Sequence, residues 1–129
     1  MLTGDFPRNF WYVAGRSEDF ARDLRPLRLF GVEIVFFRRR DGSPVALENA
    51  CPHRKLPLSK GRIENDTVVC GYHGLTFDGA GTCVAAPTQA DAVPKRARVI
   101  SYPLIERYGF VWIWPGDPAQ ADAALLIDI

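Results

Sequence analysis

The sequence predicts an antiparallel all-β domain. Short runs rich in β-branched and aromatic residues recur along the 129 residues, and ten prolines and eleven glycines interrupt them. Short strands separated by such turn-forming residues are typical of antiparallel sheets. Hydrophobic residues make up 47% and charged residues 24% of the 14.4 kDa chain, which is the composition of one ordinary globular domain. We therefore expect a single domain over residues 1–129.

Strands are predicted along most of the chain, at residues 10–14, 33–38, 45–49, 67–70, 75–77, 82–85, 99–106 and 110–114. The Asp41-Gly42 pair between the second and third of these predicts a hairpin turn. The run Asp78-Gly79-Ala80-Gly81 predicts a second tight turn. Residues 86–98 are polar and contain two prolines, which favours a loop.

Two stretches add detail to this pattern. Residues 17–24 are the only predicted helix, with Ser17 as its N-cap and acidic residues in its first turn. In the last strand, Val111 and Ile113 alternate with Trp112 and Trp114. Both faces of that strand are apolar, so we expect both to be covered.

Charge and cysteine content exclude several classes of protein. With 16 basic and 15 acidic residues the net charge is +1, which gives no electrostatic basis for binding nucleic acid or an anionic membrane. The first residues lack the pattern of a secretory signal, and no apolar run approaches the ~20 residues of a membrane helix. Three cysteines in such a chain do not predict a disulfide framework. We expect a cytoplasmic protein with no membrane partner.

Two short clusters contain both histidines of the chain and two of its three cysteines. They read Cys51-x-His53 and Cys70-x-x-His73, with residues 54–69 between them. Thiolate and imidazole groups bind iron, zinc and copper. Since each histidine stands beside a cysteine, incidental placement is a poor explanation. The pattern predicts that these four side chains bind a metal.

Two kinds of metal site remain open at this point. A single zinc ion is one, although zinc ligand pairs are usually separated by two to four residues and Cys51-x-His53 leaves one. The other is a two-iron cluster in which each loop supplies one ligand to each iron, as in the Rieske [2Fe–2S] arrangement. The third cysteine, Cys83, lies outside both clusters and is expected to be a small buried hydrophobic residue.

The segments CPHRKLPLSKGR and CGYHGLTFDGAGTC resemble the Rieske box of ring-hydroxylating and demethylating non-haem iron oxygenases. NFWYVAG near the start and ERYGFVWIWPGDPAQAD near the end resemble the N-terminal domain of the vanillate and dicamba O-demethylase oxygenase group. The resemblance covers essentially the whole chain. It implies a Rieske fold of antiparallel sheets, with a cluster-binding subdomain of two loops at about residues 49–86.

The resemblance also implies individual roles. Cys51 and Cys70 would bind the buried iron, and His53 and His73 would bind the iron nearer the surface through Nδ1. Backbone N–H groups near the ligands would donate hydrogen bonds to the cluster sulfurs and tune its potential. The residues suited to this are Arg54, Lys55, Tyr72 and Gly74.

The resemblance implies electron transfer in an oxygenase component. A reductase or ferredoxin would supply electrons, and a mononuclear iron in a separate catalytic domain would use them to demethylate or hydroxylate an aromatic compound. That iron needs two further histidines, which this sequence lacks, so the chain is not expected to be catalytic alone. A homo-oligomer is compatible with this role. A stand-alone Rieske-type ferredoxin and a non-redox zinc-binding structural module are the alternatives.

Overall fold

A computed structural model describes residues 10–50, 57–71, 75–85 and 98–122. Within these ranges the chain forms short antiparallel strands and three 3-10 helices, which confirms the all-β prediction. The 3-10 helices are Ser17–Asp19, Leu58–Lys60 and Pro118–Gln120. The strands are β1 (Tyr12–Arg16), β2 (Arg25–Leu29), β3 (Val32–Arg38), β4 (Pro44–Glu48), β5 (Arg62–Glu64), β6 (Thr67–Val69), β7 (Thr76–Phe77), β8 (Cys83–Ala85), β9 (Leu104–Arg107) and β10 (Phe110–Ile113).

The strands pair into three antiparallel sheets. The outer sheet has the order β1-β10-β9, the central sheet β2-β3-β4, and the loop sheet β5-β6-β7-β8. Each predicted turn is present: the Gly42 N–H donates to the Arg39 carbonyl at 2.9 Å, and the Gly81 N–H donates to the Asp78 carbonyl at 2.9 Å. These turns keep sequence neighbours paired, so most of the sheet order follows the chain.

The central sheet is buried on both faces. Val35 and Phe37 of β3 belong to a core shared with the loop sheet, which we call the loop-side core. Ile34 and Phe36 belong to a core shared with the outer sheet, which we call the outer core. Successive side chains of a strand point to opposite faces, so four consecutive apolar residues serve two cores. No helix of the described residues is long and apolar enough to cross a membrane.

The helix predicted over residues 17–24 is wrong beyond its first turn. Only Ser17–Asp19 is helical, and no side chain caps this turn. The carbonyls of Ser17 and Phe20 instead accept hydrogen bonds from the Arg38 guanidinium, and the Ala21 carbonyl accepts one from the Arg38 N–H. These carbonyls therefore accept tertiary hydrogen bonds in place of the backbone hydrogen bonds that would extend the helix. The chain then enters β2, which was not predicted.

The expectation for the last strand is half right. Val111 and Ile113 of β10 are fully buried in the outer core. Of the two tryptophans predicted for the opposite face, Trp112 is half-buried and Trp114, just after β10, is fully buried with its ring 5.1 Å from that of Trp11. Phe110 and Val13 of the neighbouring β1 are 36% and 47% exposed, so within the described residues this second face is only partly covered.

The strand predicted over residues 99–106 is also shorter than expected. Pro103, which has no backbone N–H, precedes β9. Ahead of it, Ser101 forms an isolated bridge with Leu47, and Arg98 forms one with Thr82. This segment therefore links the central sheet to the loop sheet. Of the loop predicted over residues 86–98, all but the last residue lies outside the described residues.

Candidate metal centre

Cys70 stands directly after β6, and its side chain lies in the loop-side core. The residue is 2% exposed and clusters with Leu58, Val68 and Leu75. The apolar residues of β6 carry the chain into this core, so the thiol is placed in a dry environment. A buried thiol at the end of a strand suits a metal ligand that must be shielded from water.

A backbone hydrogen bond closes the second ligand loop at its base. The Cys70 N–H donates to the Leu75 carbonyl at 2.7 Å. Residues 71–74, which include His73, connect these two paired positions. Both ends of this segment, Cys70 and Leu75, therefore lie in the loop-side core. We refer to residues 70–75 as the second loop.

A side-chain clamp closes the first ligand loop. The Asn49 Oδ1 accepts a hydrogen bond from the Ser59 N–H at 2.8 Å, and the Asn49 Nδ2 donates to the Ser59 Oγ at 3.0 Å. Residues 50–58, which include Cys51 and His53, connect the two clamped positions. We refer to residues 49–59 as the first loop. Each pair of predicted ligands thus belongs to a segment whose ends are held together.

The stems of the two loops meet backbone to backbone. A Cβ added to Gly61 would lie 1.9 Å from the Val69 carbonyl oxygen and 3.2 Å from the Gly71 nitrogen. A Cβ added to Gly71 would lie 3.0 Å from the Lys60 carbonyl oxygen. Side chains at these positions would force the stems apart, so glycine permits the approach. This contact brings the stems of the first and second loops together.

Two open cavities flank the stem of the first loop. One, of about 410 Å³, is lined by Ser59, Gly61 and Arg62 together with Arg22 and Asp23 of the segment before β2. The other, of about 360 Å³, is lined by Asn49, Pro57 and Tyr102 among others. Burial raises the pKa of Tyr102 to about 12, and the nearby Glu48 charge acts in the same direction. The phenol therefore stays protonated at neutral pH.

Of the predicted site residues, Cys70 is the one that the structure describes. Cys83 lies in the same core, 6% exposed, with its sulfur 3.6 Å from the Ala85 carbonyl, which fits the buried role predicted for it. The other ligands and their neighbours lie outside the described residues: Cys51, His53, Arg54, Lys55, Tyr72, His73 and Gly74.

Sequence reasoning missed the Asn49–Ser59 clamp and the closeness of Gly61 to Gly71. An asparagine at the end of an apolar strand, just before a ligand pair, was the available signal for the clamp. The buried Cys70 thiol thus lies directly before Gly71, where the stems of the two loops meet.

Comparison with known proteins agrees with this geometry. Residues 10–103 match the family model for the Rieske [2Fe-2S] domain. The toluene-4-sulfonate monooxygenase system iron-sulfur subunit of Comamonas testosteroni is 44% identical over 124 residues, which cover 95% of this chain and 35% of that protein. The dicamba O-demethylase oxygenase component of Stenotrophomonas maltophilia is 42% identical, with 95% of this chain and 36% of that protein covered.

Solved structures show the same fold. Dicamba monooxygenase bound to dicamba superimposes with a TM-score of 0.92 at 41% identity, covering 98% of this chain and 38% of that one. NdmA of Pseudomonas putida CBB5 with caffeine gives a TM-score of 0.76 at 26% identity. The chain thus spans about a third of the length of its curated relatives, 36% of the dicamba enzyme for example. It belongs to the Rieske [2Fe-2S] domain family, and its cofactor is accordingly a Rieske-type [2Fe–2S] cluster, which serves electron transfer.

Proposed function

We propose that Cys51, His53, Cys70 and His73 hold the [2Fe–2S] cluster, and that residues 1–129 form one Rieske domain around a cluster-binding region at about residues 49–86. The observation that carries the assignment is the 2% exposure of Cys70 at the closed base of the second loop. The contact between Gly61 and Gly71 supports it, because ligands from both loops must reach the same cluster.

The two kinds of ligand have different tasks. Cys51 and Cys70 would hold one iron, and the burial of Cys70 supports a role on the shielded side of the cluster. His53 and His73 would hold the other iron through one ring nitrogen each, which would leave the second nitrogen available on the path of the electron. Backbone N–H groups around Arg54, Lys55, Tyr72 and Gly74 would donate to the cluster sulfurs. When bound, the cluster stores and releases one electron at a time.

We further propose that the domain works inside an aromatic ring-hydroxylating or O-demethylating oxygenase component. Its relatives bear the names of such components, including the vanillate O-demethylase oxygenase subunit of a Pseudomonas strain, which is 41% identical. A reductase or ferredoxin supplies the electrons, and a mononuclear iron in the catalytic domain of the full-length protein receives them. A cytoplasmic location and a homo-oligomeric assembly remain predictions.

Metal and sulfide analysis tests the cluster. The purified protein is expected to contain about two irons and two acid-labile sulfides per chain, with a Rieske-type electron paramagnetic resonance (EPR) signal after reduction. Stoichiometric zinc without sulfide would instead support the structural zinc module.

An activity assay tests the place of the chain in the reaction. The sequence contains two histidines, and both are assigned to the cluster. Residues 1–129 are therefore expected to accept electrons from dithionite or a reductase without oxidising methoxylated aromatic compounds. Product formed in proportion to this chain alone would show a catalytic site and would contradict the ligand assignment.

A further inference from the structure

We propose that Asn49 is a positioning residue for the cluster, setting the placement of the first loop relative to the second. This proposal rests on the ligand assignment given above. Asn49 is the buried polar residue of the described chain, 6% exposed, and it stands two residues before Cys51. Its side chain bonds Ser59, so we expect its effect to be transmitted through that residue.

Asn49 is fixed through both its main chain and its side chain. Its N–H donates to the Glu33 carbonyl of β3 at 3.0 Å, which ties it to the central sheet. Its carboxamide makes two hydrogen bonds with Ser59, one as acceptor and one as donor. A buried amide is costly unless it is satisfied, and a reciprocal pair of bonds also fixes the direction of approach. The clamp thus holds Ser59 in one position relative to the sheet.

Ser59 passes this constraint to the second loop. It sits in the 3-10 helix Leu58–Lys60, where the Gly61 N–H donates to the Leu58 carbonyl at 2.9 Å. The next contact is between the Lys60 carbonyl and the Gly71 backbone, one residue after Cys70. A short series of hydrogen bonds and one close backbone approach therefore connects Asn49 to the stem of the second loop. Releasing the clamp would loosen both loops together.

The experiment compares Asn49→Ala and Ser59→Ala with a control that removes buried volume elsewhere. Val111→Ala truncates a fully buried side chain of the outer core and leaves both stems untouched. The measurements on purified holoprotein are the rate of iron loss to a chelator, the EPR g-values of the reduced cluster and its reduction potential. Unfolding by urea gives the stability of each variant.

We expect Asn49→Ala to lose iron about tenfold faster or more, since removing a partner that orients metal ligands costs ~10–100-fold in affinity. Its g-values and potential should shift as well. Ser59→Ala keeps the bond from its N–H to Asn49, so it should lie between wild type and Asn49→Ala. Val111→Ala should lose stability while its g-values and potential match the wild type.

The outcomes separate the two proposals. A wild-type protein with zinc and no sulfide would refute the proposed function itself. A wild type that carries the cluster, with Asn49→Ala and Ser59→Ala matching Val111→Ala in all three cluster measurements, would refute the positioning role alone. If Asn49→Ala does not fold, Ser59→Ala decides the question by its g-values and iron-loss rate.

Discussion

The outer core and the loop-side core lie on opposite faces of one sheet, yet they are built differently. Strands of four or five residues in the outer sheet pack Val111 and Ile113 against the central sheet. The loop sheet has strands of two or three residues, and its core includes Cys70, a predicted ligand. Strands this short are marginal without further support. We infer that side-chain packing alone stabilises the outer core, whereas the stability of the loop-side core also depends on the bound cluster.

Removing a cluster ligand should produce the largest difference in stability between the two cores. In Cys70→Ser we expect no cluster and a loss of more than ~4 kcal/mol in stability, as for loss of a structural metal. Hydrogen exchange should rise across β5–β8 and stay slow at Val111 and Ile113 of β10. The matched control is Cys83→Ala, which removes a sulfur from the same core. It should keep the cluster spectrum, and loss of the cluster there would show that a ligand is misassigned.

Separating the loop stems should have the next largest effect. Gly61→Ala would place a Cβ 1.9 Å from the Val69 carbonyl oxygen, and we expect a cost of ~3 kcal/mol from overpacking together with faster iron loss. Gly42→Ala is the control, because Gly42 has φ +91° with no atom within 4 Å of an added Cβ. It should cost ~1–2 kcal/mol through backbone strain and leave iron loss unchanged. Equal iron-loss rates in both variants would argue against the stem contact.

A pair of valine truncations tests whether the two cores are separable. Val68 and Val111 are both fully buried, the first in the loop-side core and the second in the outer core. Each change to alanine should cost ~2–3 kcal/mol in urea unfolding. Only Val68→Ala should accelerate iron release to a chelator. If both variants release iron at the same rate, the cores act as one unit.

The smallest expected effect concerns the ion pair that joins the outer and central sheets. The Arg38 guanidinium bonds both carboxylate oxygens of Glu106, at 2.9 and 2.6 Å, and holds the pKa of that carboxyl below its usual value. A depressed folded-state pKa contributes stability above the unfolded pKa, and this contribution is lost as pH falls through the folded value. Glu106→Gln should therefore weaken the acid dependence of stability.

The size of this effect is limited by solvent, since the Glu106 side chain is 34% exposed. We expect ~1 kcal/mol or less near pH 7, lost as the pH falls from neutral through the depressed pKa of Glu106. Urea unfolding across this range measures it. Glu18→Gln, which alters an exposed pair with Arg16, is the control and should change the free energy of unfolding near pH 7 very little. If the free energy of unfolding of Glu106→Gln varied with pH as that of the wild type does, the ion pair would make no measurable contribution to acid stability.

The strands that the sequence predicted are those with dense β-branched and aromatic residues, such as β3 and β10. The two that it missed have clear reasons. In β2, Arg-Pro-Leu-Arg-Leu holds a proline, which is tolerated because β2 is an edge strand paired only with β3. β5, with the sequence Arg-Ile-Glu, is too short to show the alternation of apolar and polar residues that predicts a strand. The turn that follows it, at Asn65-Asp66, has positive φ angles at both residues.

The functional site likewise has features that the sequence predicted and features that it missed. Residue types and spacing were enough to predict a metal site, because few chemistries need cysteine and histidine paired twice, and the four individual ligands stay predictions. For the Asn49–Ser59 clamp the sequence offered a signal only at Asn49, because its partner lies ten positions away and belongs to no motif. The approach of Gly61 to Gly71 is likewise a tertiary contact between two glycines that local propensity treats as ordinary turn residues.

The four consecutive buried residues of β3 also determine where the chain can change in length. Ile34 and Phe36 point one way and Val35 and Phe37 the other, so inserting or deleting one residue within β3 would exchange their faces. Each side of the sheet would then receive side chains shaped for the other. Length changes among homologous chains should therefore fall at the turn around Gly42, where the backbone is exposed, and be absent between Ile34 and Phe37.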